Sequence, residues 1–422
     1  MPNTEKNIRI KETYLATKAR RENQVCRVFS VKVQENKLNA IQREALKMMF
    51  VEAKWMYNHI LNLSKDEKAD IFLLKYTDLE EAKHLTKDKE EVVSKLTHLS
   101  SQMKQEVLTS IFTSIRSLTK AKKNGNKVGK LKFTSEYKSI NLKQCGVSYK
   151  IVSKNKVKIQ GIKKPLKVNG LDQLKRFGEN YELANAKLLL KPSGYYIAFT
   201  VYTERDYSVK TDKPRIGIDF GCQTSFTLSD GRKINALVEE SERLKRLQRK
   251  VARAKKGSNN KWKLKKRLRK VYEHDTNKKN DMTNKLCSIL SEYQVIMQDE
   301  QLRAWKRRHG KKVQHSILGR VKTRLVSKYD TVVLDRFVPT TKLCRDCGYI
   351  HKDITERDRT FVCPSCGVVY DRDIHAAENM VWLYENIVGV ERTEFKRVDF
   401  IENLSIFFEN MKHEAAESSV QR

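Results

Sequence analysis

Apolar positions along this chain change their period twice, and each change predicts a different kind of structure. The first two dozen residues are polar and basic, open on MPNTEKNIRIKE without an apolar core, and are expected to stay loosely ordered until a partner binds. VCRVFSVKV, from Val25 to Val33, then alternates as a strand does. In KLNAIQREALKMMFVEAKWMYNHILNL the apolar residues follow a helical repeat. Leu96, Leu99, Met103, Val107, Ile111, Ile115 and Leu118 recur at steps of three and four, a second helix that stops at KAKKNGNK. From Lys130 to Glu204 the period falls to two, and KLKFTSEY, SYKIVS, KVKIQG, AKLLLKP and GYYIAFTVYT read as short strands between turns. This predicts a small barrel completed by Val25–Val33, with the two helices inserted.

At Thr211–Pro214 the texture changes again. RIGIDFG is an apolar strand closed by Gly221, and SFTLSDG is a second one. A basic helical pair follows, ERLKRLQRKVARAKKGSNNKWKLKKRLRKV, in which Leu244, Leu247 and Val251 face one way and Leu264, Leu268 and Val271 do the same. Nearly everything else there is Lys or Arg. A charge run is commonly just a solvated helix face. Here, acidic partners for i,i+4 pairing are almost absent, so the like charges repel one another and a phosphate backbone is the favoured counterion. Arg243, Arg246, Arg249, Arg253, Lys261, Lys265, Arg267 and Arg269 are the candidate nucleic-acid contacts.

Composition agrees. The 422 residues suffice for two or three domains, and 39% hydrophobic residues predict a folded chain. Against 51 Asp and Glu stand 86 Lys and Arg, a net charge of +35 that draws in a polyanion. Membrane binding would need an amphipathic or lipidated anchor, or an apolar run of spanning length, and none is read. A cytoplasmic protein is expected.

The eight cysteines are of two kinds. Cys26, Cys145, Cys222 and Cys287 are scattered and read as small core hydrophobes. Cys344-x2-Cys347 and Cys363-x2-Cys366 are paired, each pair followed by a glycine, Gly348 or Gly367, that permits a tight turn. Four thiolates so spaced satisfy tetrahedral Zn²⁺ and leave no position open, so one structural zinc is expected.

Carboxylates stand at the ends of buried segments. Asp219 ends IGID, Glu300 follows YQVIMQD, and Asp371 and Asp373 lie in DRDIHAAENM at a helix start. Any one of these is ordinarily a turn or cap residue. Together they describe a convergent acidic site, which resists ionisation unless divalent cations neutralise it. Hard oxygen ligands select Mg²⁺ or Mn²⁺, and two such ions about 4 Å apart can activate water against a phosphodiester.

These motifs carry a resemblance. GIDFG, GSNNKWKLKKRL, Glu300-x-Leu302, the paired knuckles and the DRD segment occur in this order in the TnpB proteins of insertion sequences and in the miniature type V CRISPR effectors. WMYNHIL, LKFTSEYKSINL and GYYIAFTV resemble that family's first-half signatures, so the likeness spans roughly Val25 to Asn379. It implies an α+β multidomain fold: a basic N-terminal arm (1–24), a wedge β-barrel (25–35 and 126–210) with an inserted helical recognition domain (36–125), an RNase H-like (RuvC) α/β nuclease domain (211–343 and 371–400) interrupted by a zinc-ribbon, target-binding insert (344–370), and a C-terminal tail (401–422). It also implies catalysis by Asp219, Glu300 and Asp373 holding two Mg²⁺ ions. The implied partners are a guide RNA and target double-stranded DNA recognised beside a short flanking motif; monomer and homodimer around one RNA are both open. The chain departs from the pattern at Gln301, at His375 (in place of Asn and expected at the surface of a helix start) and at Asn284.

The function implied is an RNA-guided DNA endonuclease. A guide-directed binder without cleavage, a transposase or structure-selective nuclease acting without a guide, and a purely structural RNA-binding protein remain as alternatives.

Overall fold

The computed structural model describes residues 3–65, 71–86, 88, 90–178, 180–204, 213–355 and 358–388. The expected tail 401–422 and the last part of the expected nuclease segment, 389–400, lie outside these residues. The chain divides into two compact units, 1–208 and 209–422.

The first unit begins with a helix, α1 (Asn3–Glu22), where a loosely ordered arm was expected. Glu, Lys, Leu, Ala and Arg dominate the segment and neither Gly nor Pro interrupts it, so intrinsic propensity favours the helix. Its C-terminal end is pinned: Arg20 and Arg21 pair with Glu182 at 3.2 and 2.7 Å, and the Arg21 guanidinium lies 3.4 Å over the Tyr202 ring. Then come β1 (Gln24–Val33), α2 (Ala40–Leu63), a hairpin of β2 (Glu81–Leu85) and β3 (Glu91–Lys95), and α3 (Ser101–Lys123). Six strands follow: β4 (Ser139–Leu142), β5 (Tyr149–Ser153), β6 (Lys156–Ile159), β7 (Leu166–Asn169), β8 (Tyr181–Lys191) and β9 (Gly194–Glu204).

The sheet order β4-β8-β9-β1-β7-β6-β5 makes a nearly closed, barrel-like sheet with β1 at its centre. Alternation decides which side of β1 is buried: Phe29, Val31 and Val33 point into the core, and Phe29 stands opposite Phe199 of β9. Asn39 and Gln42 form a capping box at the start of α2, and Ser100 caps α3. That cap shortens the expected second helix. Leu96 and Leu99 precede it, yet they join Met103, Val107 and Ile111 in the core that the helices share with the barrel. The β2–β3 hairpin escaped the periodicity because its apolar residues Leu85, Val92 and Val93 are exposed and do not alternate with polar ones.

The second unit contains β10 (Arg215–Phe220), β11 (Phe226–Leu228), β12 (Lys233–Ile234), α4 (Glu242–Arg253), α5 (Asn259–Leu290), β13 (Gln294–Gln298), α6 (Leu302–His315), α7 (Leu318–Lys328), β14 (Thr331–Leu334), β15 (Thr360–Val362), β16 (Val369–Asp371) and α8 (Arg372–Leu383). Its sheet runs β12-β11-β10-β13-β14, with β12, β11 and β10 antiparallel and β10, β13 and β14 parallel. Helices make the parallel crossovers, which is why Ile216, Ile218, Val295, Ile296 and Met297 form near-continuous buried runs. Gly217 sits where α8 crosses β10: a Cβ there would lie 1.9 Å from the Ala377 carbonyl oxygen, so only glycine lets the helix backbone approach this strand.

Of the four scattered cysteines, only Cys287 is buried. Cys145 and Cys222 are partly exposed. Cys145 nevertheless packs against the core of the first unit, whereas Cys26 is exposed because it occupies an outward position of β1 and does not serve as a core hydrophobe. Among the described residues no helix is long and apolar enough to cross a membrane.

A candidate active site beside a four-cysteine cluster

Three short segments of the second unit meet at one cleft. Asp219 is the penultimate residue of β10, Glu300 follows the adjacent parallel strand β13, and Asp373 lies in the first turn of α8. All three line a cleft of about 1220 Å³, together with Trp305, Arg307 and His309 of α6 and with Arg359 and Arg372. The approach of α8 at Gly217 therefore carries Asp373 to the strand that bears Asp219.

The cleft's electrostatics follow from crowding. Removal from water, and then the neighbouring carboxylates of Asp373 and Glu300, push the Asp219 carboxyl up to about 8, against the pull of Arg372 and the Phe220 backbone N–H. Burial likewise raises Glu300, with Lys322 opposing it. A folded chain that keeps Asp219 protonated binds more protons than the unfolded chain between the ordinary aspartate value of 3.8 and about 8. Without added metal, stability should therefore fall as pH rises through that window. Thermal melts in EDTA are expected to show this slope in the native protein and a flatter one in Asp219→Asn; equal slopes would assign the dependence to other groups.

The neighbouring acids Asp299 and Glu300 part ways in the structure, as do Asp371 and Asp373. Asp299 is tied away from the cleft, accepting from Lys322 Nζ at 2.7 Å and from Arg336 at 3.1 Å, and these cations hold it below the usual carboxylate range. Glu300 is the member that lines the cleft. Asp371 is the N-cap of α8, accepting from the backbone N–H groups of Asp373 and Ile374, and it pairs with Lys233 at 2.7 Å. Asp373 faces the cleft, where Arg372 at 2.8 Å and Arg359 at 3.4 Å hold its carboxylate. The two arginines were not singled out from sequence, although Arg372 is the middle residue of DRD.

The four cysteines form a tighter group. Among the described residues, theirs are the only three or more metal-ligand atoms lying within 4.8 Å of one another; the carboxylates share a cleft without that closeness. The Cys344–Cys366 and Cys347–Cys363 sulfur pairs stand 3.6 Å apart. A zinc tetrahedron with Zn–S bonds of about 2.3 Å has edges of about 3.8 Å, so the thiolates fit the ion. The two knuckles are alike: the N–H of Gly348 donates to the Cys344 carbonyl and that of Gly367 to the Cys363 carbonyl, both at 2.9 Å, and both glycines have φ of 75°. This is a zinc-ribbon-like cluster, closed by the β15–β16 hairpin and the buried Phe361.

His375 is not at the surface. It is fully buried, with Tyr370 stacked on it at 4.5 Å and 10° and the Phe361 ring centroid also at 4.5 Å. Its Nε2 donates to the Leu343 carbonyl at 2.8 Å, and the Asn379 amide donates to the carbonyls of Thr340 and Leu343, each at 2.8 Å. One turn of α8 thus grips the chain leading into Cys344, while Arg345 pairs with Glu378 at 2.7 Å. Burial lowers the His375 pKa and favours the neutral ring.

The basic pair places its charge outward. Arg243, Arg246, Arg249, Arg253, Lys265, Arg267 and Arg269 are exposed and Lys261 is partly so, whereas Leu244 and Val271 are buried.

Known proteins match the same segments. The Cas12f1-like, TNB domain family covers residues 326–380, and the OrfB_IS605 family, described as "Probable transposase", covers 198–304. A "Putative RNA-guided DNA endonuclease" of Streptomyces pristinaespiralis is 32% identical over 178 residues, covering 39% of this chain and 44% of that protein. TnpB-like protein L79 of Acanthamoeba polyphaga mimivirus is 28% identical over 216 residues, 44% of this chain and 40% of that one. The match thus spans less than half the length of these curated relatives. Among solved structures, Cas12f1 in a complex with sgRNA and target DNA aligns over 85% of this chain and 99% of that one, at TM-score 0.45 and 13% identity. Strand-end acids, cysteine knuckles and both family matches thus follow one another in a single order along the chain, which over these segments is similar to insertion-sequence TnpB proteins and miniature type V effectors.

Proposed function

We propose that this chain is an RNA-guided DNA endonuclease that hydrolyses phosphodiesters at a RuvC-type (RNase H-like) site formed by Asp219, Glu300 and Asp373. The observation that carries the reading is the meeting of these three acids, from β10, from the end of β13 and from the start of α8, in one cleft rimmed by arginines. Three hard oxygen donors, of which Asp373 and Glu300 help to raise the Asp219 pKa, suit a pair of Mg²⁺ or Mn²⁺ ions. Two such ions supply an activated water and neutralise the leaving oxygen.

The chain's own residues do the rest. Asp219, on the central strand, offers its carboxylate from a rigid position at the cleft wall. Glu300 is kept available because Asp299 takes the Lys322 and Arg336 cations. Asp373 becomes available as Arg372 and Arg359 let go, and these guanidiniums then face the phosphate of the bound strand. The barrel-like unit with its helices is assigned to the guide RNA, the ribbon at 344–370 to target DNA, and the exposed charge of α4 and α5 to phosphate backbone. By this reading the protein acts in the cytoplasm.

The test is expression with native flanking DNA, sequencing of the bound RNA, and cleavage of matched against mismatched duplex. RNA binding should be steeply salt-dependent. With the eight candidate cations each on a phosphate, the log–log slope is roughly −6 to −7. A slope near −1 would remove the basic face from the reading. Cutting without regard to RNA sequence would favour the guide-free nuclease or transposase named for one of the matching families.

A further inference from the structure

Of the four tryptophans, Trp55, Trp305 and Trp382 each pack against a hydrophobic core. Trp262 does not: on the second turn of α5 it is 59% exposed. The helical repeat puts Leu264 and Val271 about half a turn round from it, and those two face inward, so the indole stands at the solvent pole of the helix. Lys265 and Lys266, three and four residues on, share its face, and the Lys266 ammonium lies 5.5 Å from the ring centroid. Not one Asp or Glu occurs between Glu242 and Glu273.

We propose that Trp262 is a stacking platform for an unpaired base of RNA, with Lys265 and Lys266 holding the flanking phosphates. A large aromatic face in water costs solvation and here joins no hydrophobic core, whereas a nucleobase covers it without regard to sequence. The surrounding charge selects the partner. A protein surface would have to be strongly acidic to sit here, while a nucleic acid brings its own anions to each base. RNA is chosen over DNA because the repulsion along α5 persists as long as the protein does. It needs a resident counterion, and in the proposed complex only the guide RNA is resident. The inference rests on that reading of the partner; none of the residues named from the sequence as nucleic-acid contacts is aromatic.

The experiment compares wild type, Trp262→Ala and Trp262→Phe, each purified with its RNA and again after RNA is stripped at high salt. Acrylamide quenching of the fluorescence lost in Trp262→Phe isolates the Trp262 signal, which should be shielded in the RNA-loaded protein and accessible in the stripped one. Trp262→Ala should bind the same RNA roughly ten-fold more weakly with an unchanged salt slope, and Trp262→Phe should recover most of the loss. Lys266→Ala should instead lower the slope by about one. Unchanged affinity in Trp262→Ala, failure of Phe to restore it, or shielding that arises only when target DNA is added would each overturn the proposal. A chain that carries no RNA at all would sink the functional reading as well; RNA-loaded protein with an accessible Trp262 would sink this inference alone.

Discussion

Asp219→Ala should abolish DNA cleavage while RNA and target binding persist. By the proposed reading the three acids of this cleft would share the neutralising cations, so losing one donor would misplace both the attacking water and the leaving oxygen. A fall of roughly 10³-fold or more is expected in single-turnover cleavage. The neighbours sharpen the test. Asp373→Ala should be as severe, because Asp373 faces the cleft. Asp371→Ala should be milder: it removes a helix cap and the contact with Lys233, a stability loss of about 1 kcal/mol, and leaves the donor set intact. Glu300→Gln should be inactive and Asp299→Asn at least partly active, since Asp299 is held by Lys322 and Arg336. EDTA should stop cutting, and Mg²⁺ or Mn²⁺ should restore it where Ca²⁺, with its looser and longer coordination, does not. Wild-type cleavage by Asp219→Ala would overturn the site assignment outright.

Cys363→Ser is the second large effect. Elemental analysis should find one zinc per native chain, and the variant should lose it. Zinc binding in such small ribbons is worth on the order of 10 kcal/mol and is mostly folding energy, so residues 344–370 should become open to limited proteolysis. The damage should not stop there. His375 and Asn379 of α8 hold the carbonyls of Leu343 and Thr340 just ahead of the first knuckle. Two residues before His375, the same helix carries Asp373. Zinc loss should therefore depress cleavage as well as target binding, while the thermal transition of the first unit stays where it was. Full cleavage by zinc-free protein would show that ribbon and cleft are independent.

Several of these features are local, and local features can be read from a chain. The alternation of Val25–Val33 marks a strand, because a one-residue step turns a side chain to the opposite face. The spacing of Cys344, Cys347, Cys363 and Cys366 sets a turn geometry that serves few purposes besides metal binding. The charge of 243–270 shows in composition alone. Other readings failed where neighbours outweighed local pattern. Ser100 caps α3 inside what looked like one continuous apolar stripe. Cys26 alternates outward. His375, polar and at a helix start, is buried because the ribbon folds over it and supplies its aromatic walls, while Leu343 just ahead of the ribbon supplies its carbonyl partner.

The acidic site lies between these cases. That Asp219, Glu300, Asp371 and Asp373 end buried segments is plain from the residues, since each follows or precedes an apolar run. Which of them face one another is a long-range matter. It depends on β13 lying parallel beside β10, on α8 crossing at Gly217, and on Lys322, Arg336 and Lys233 drawing Asp299 and Asp371 aside. Those contacts join residues tens to more than a hundred positions apart. A period or a spacing reports only what lies within a few turns of the chain, so the choice of which carboxylates form the site belongs to the tertiary structure.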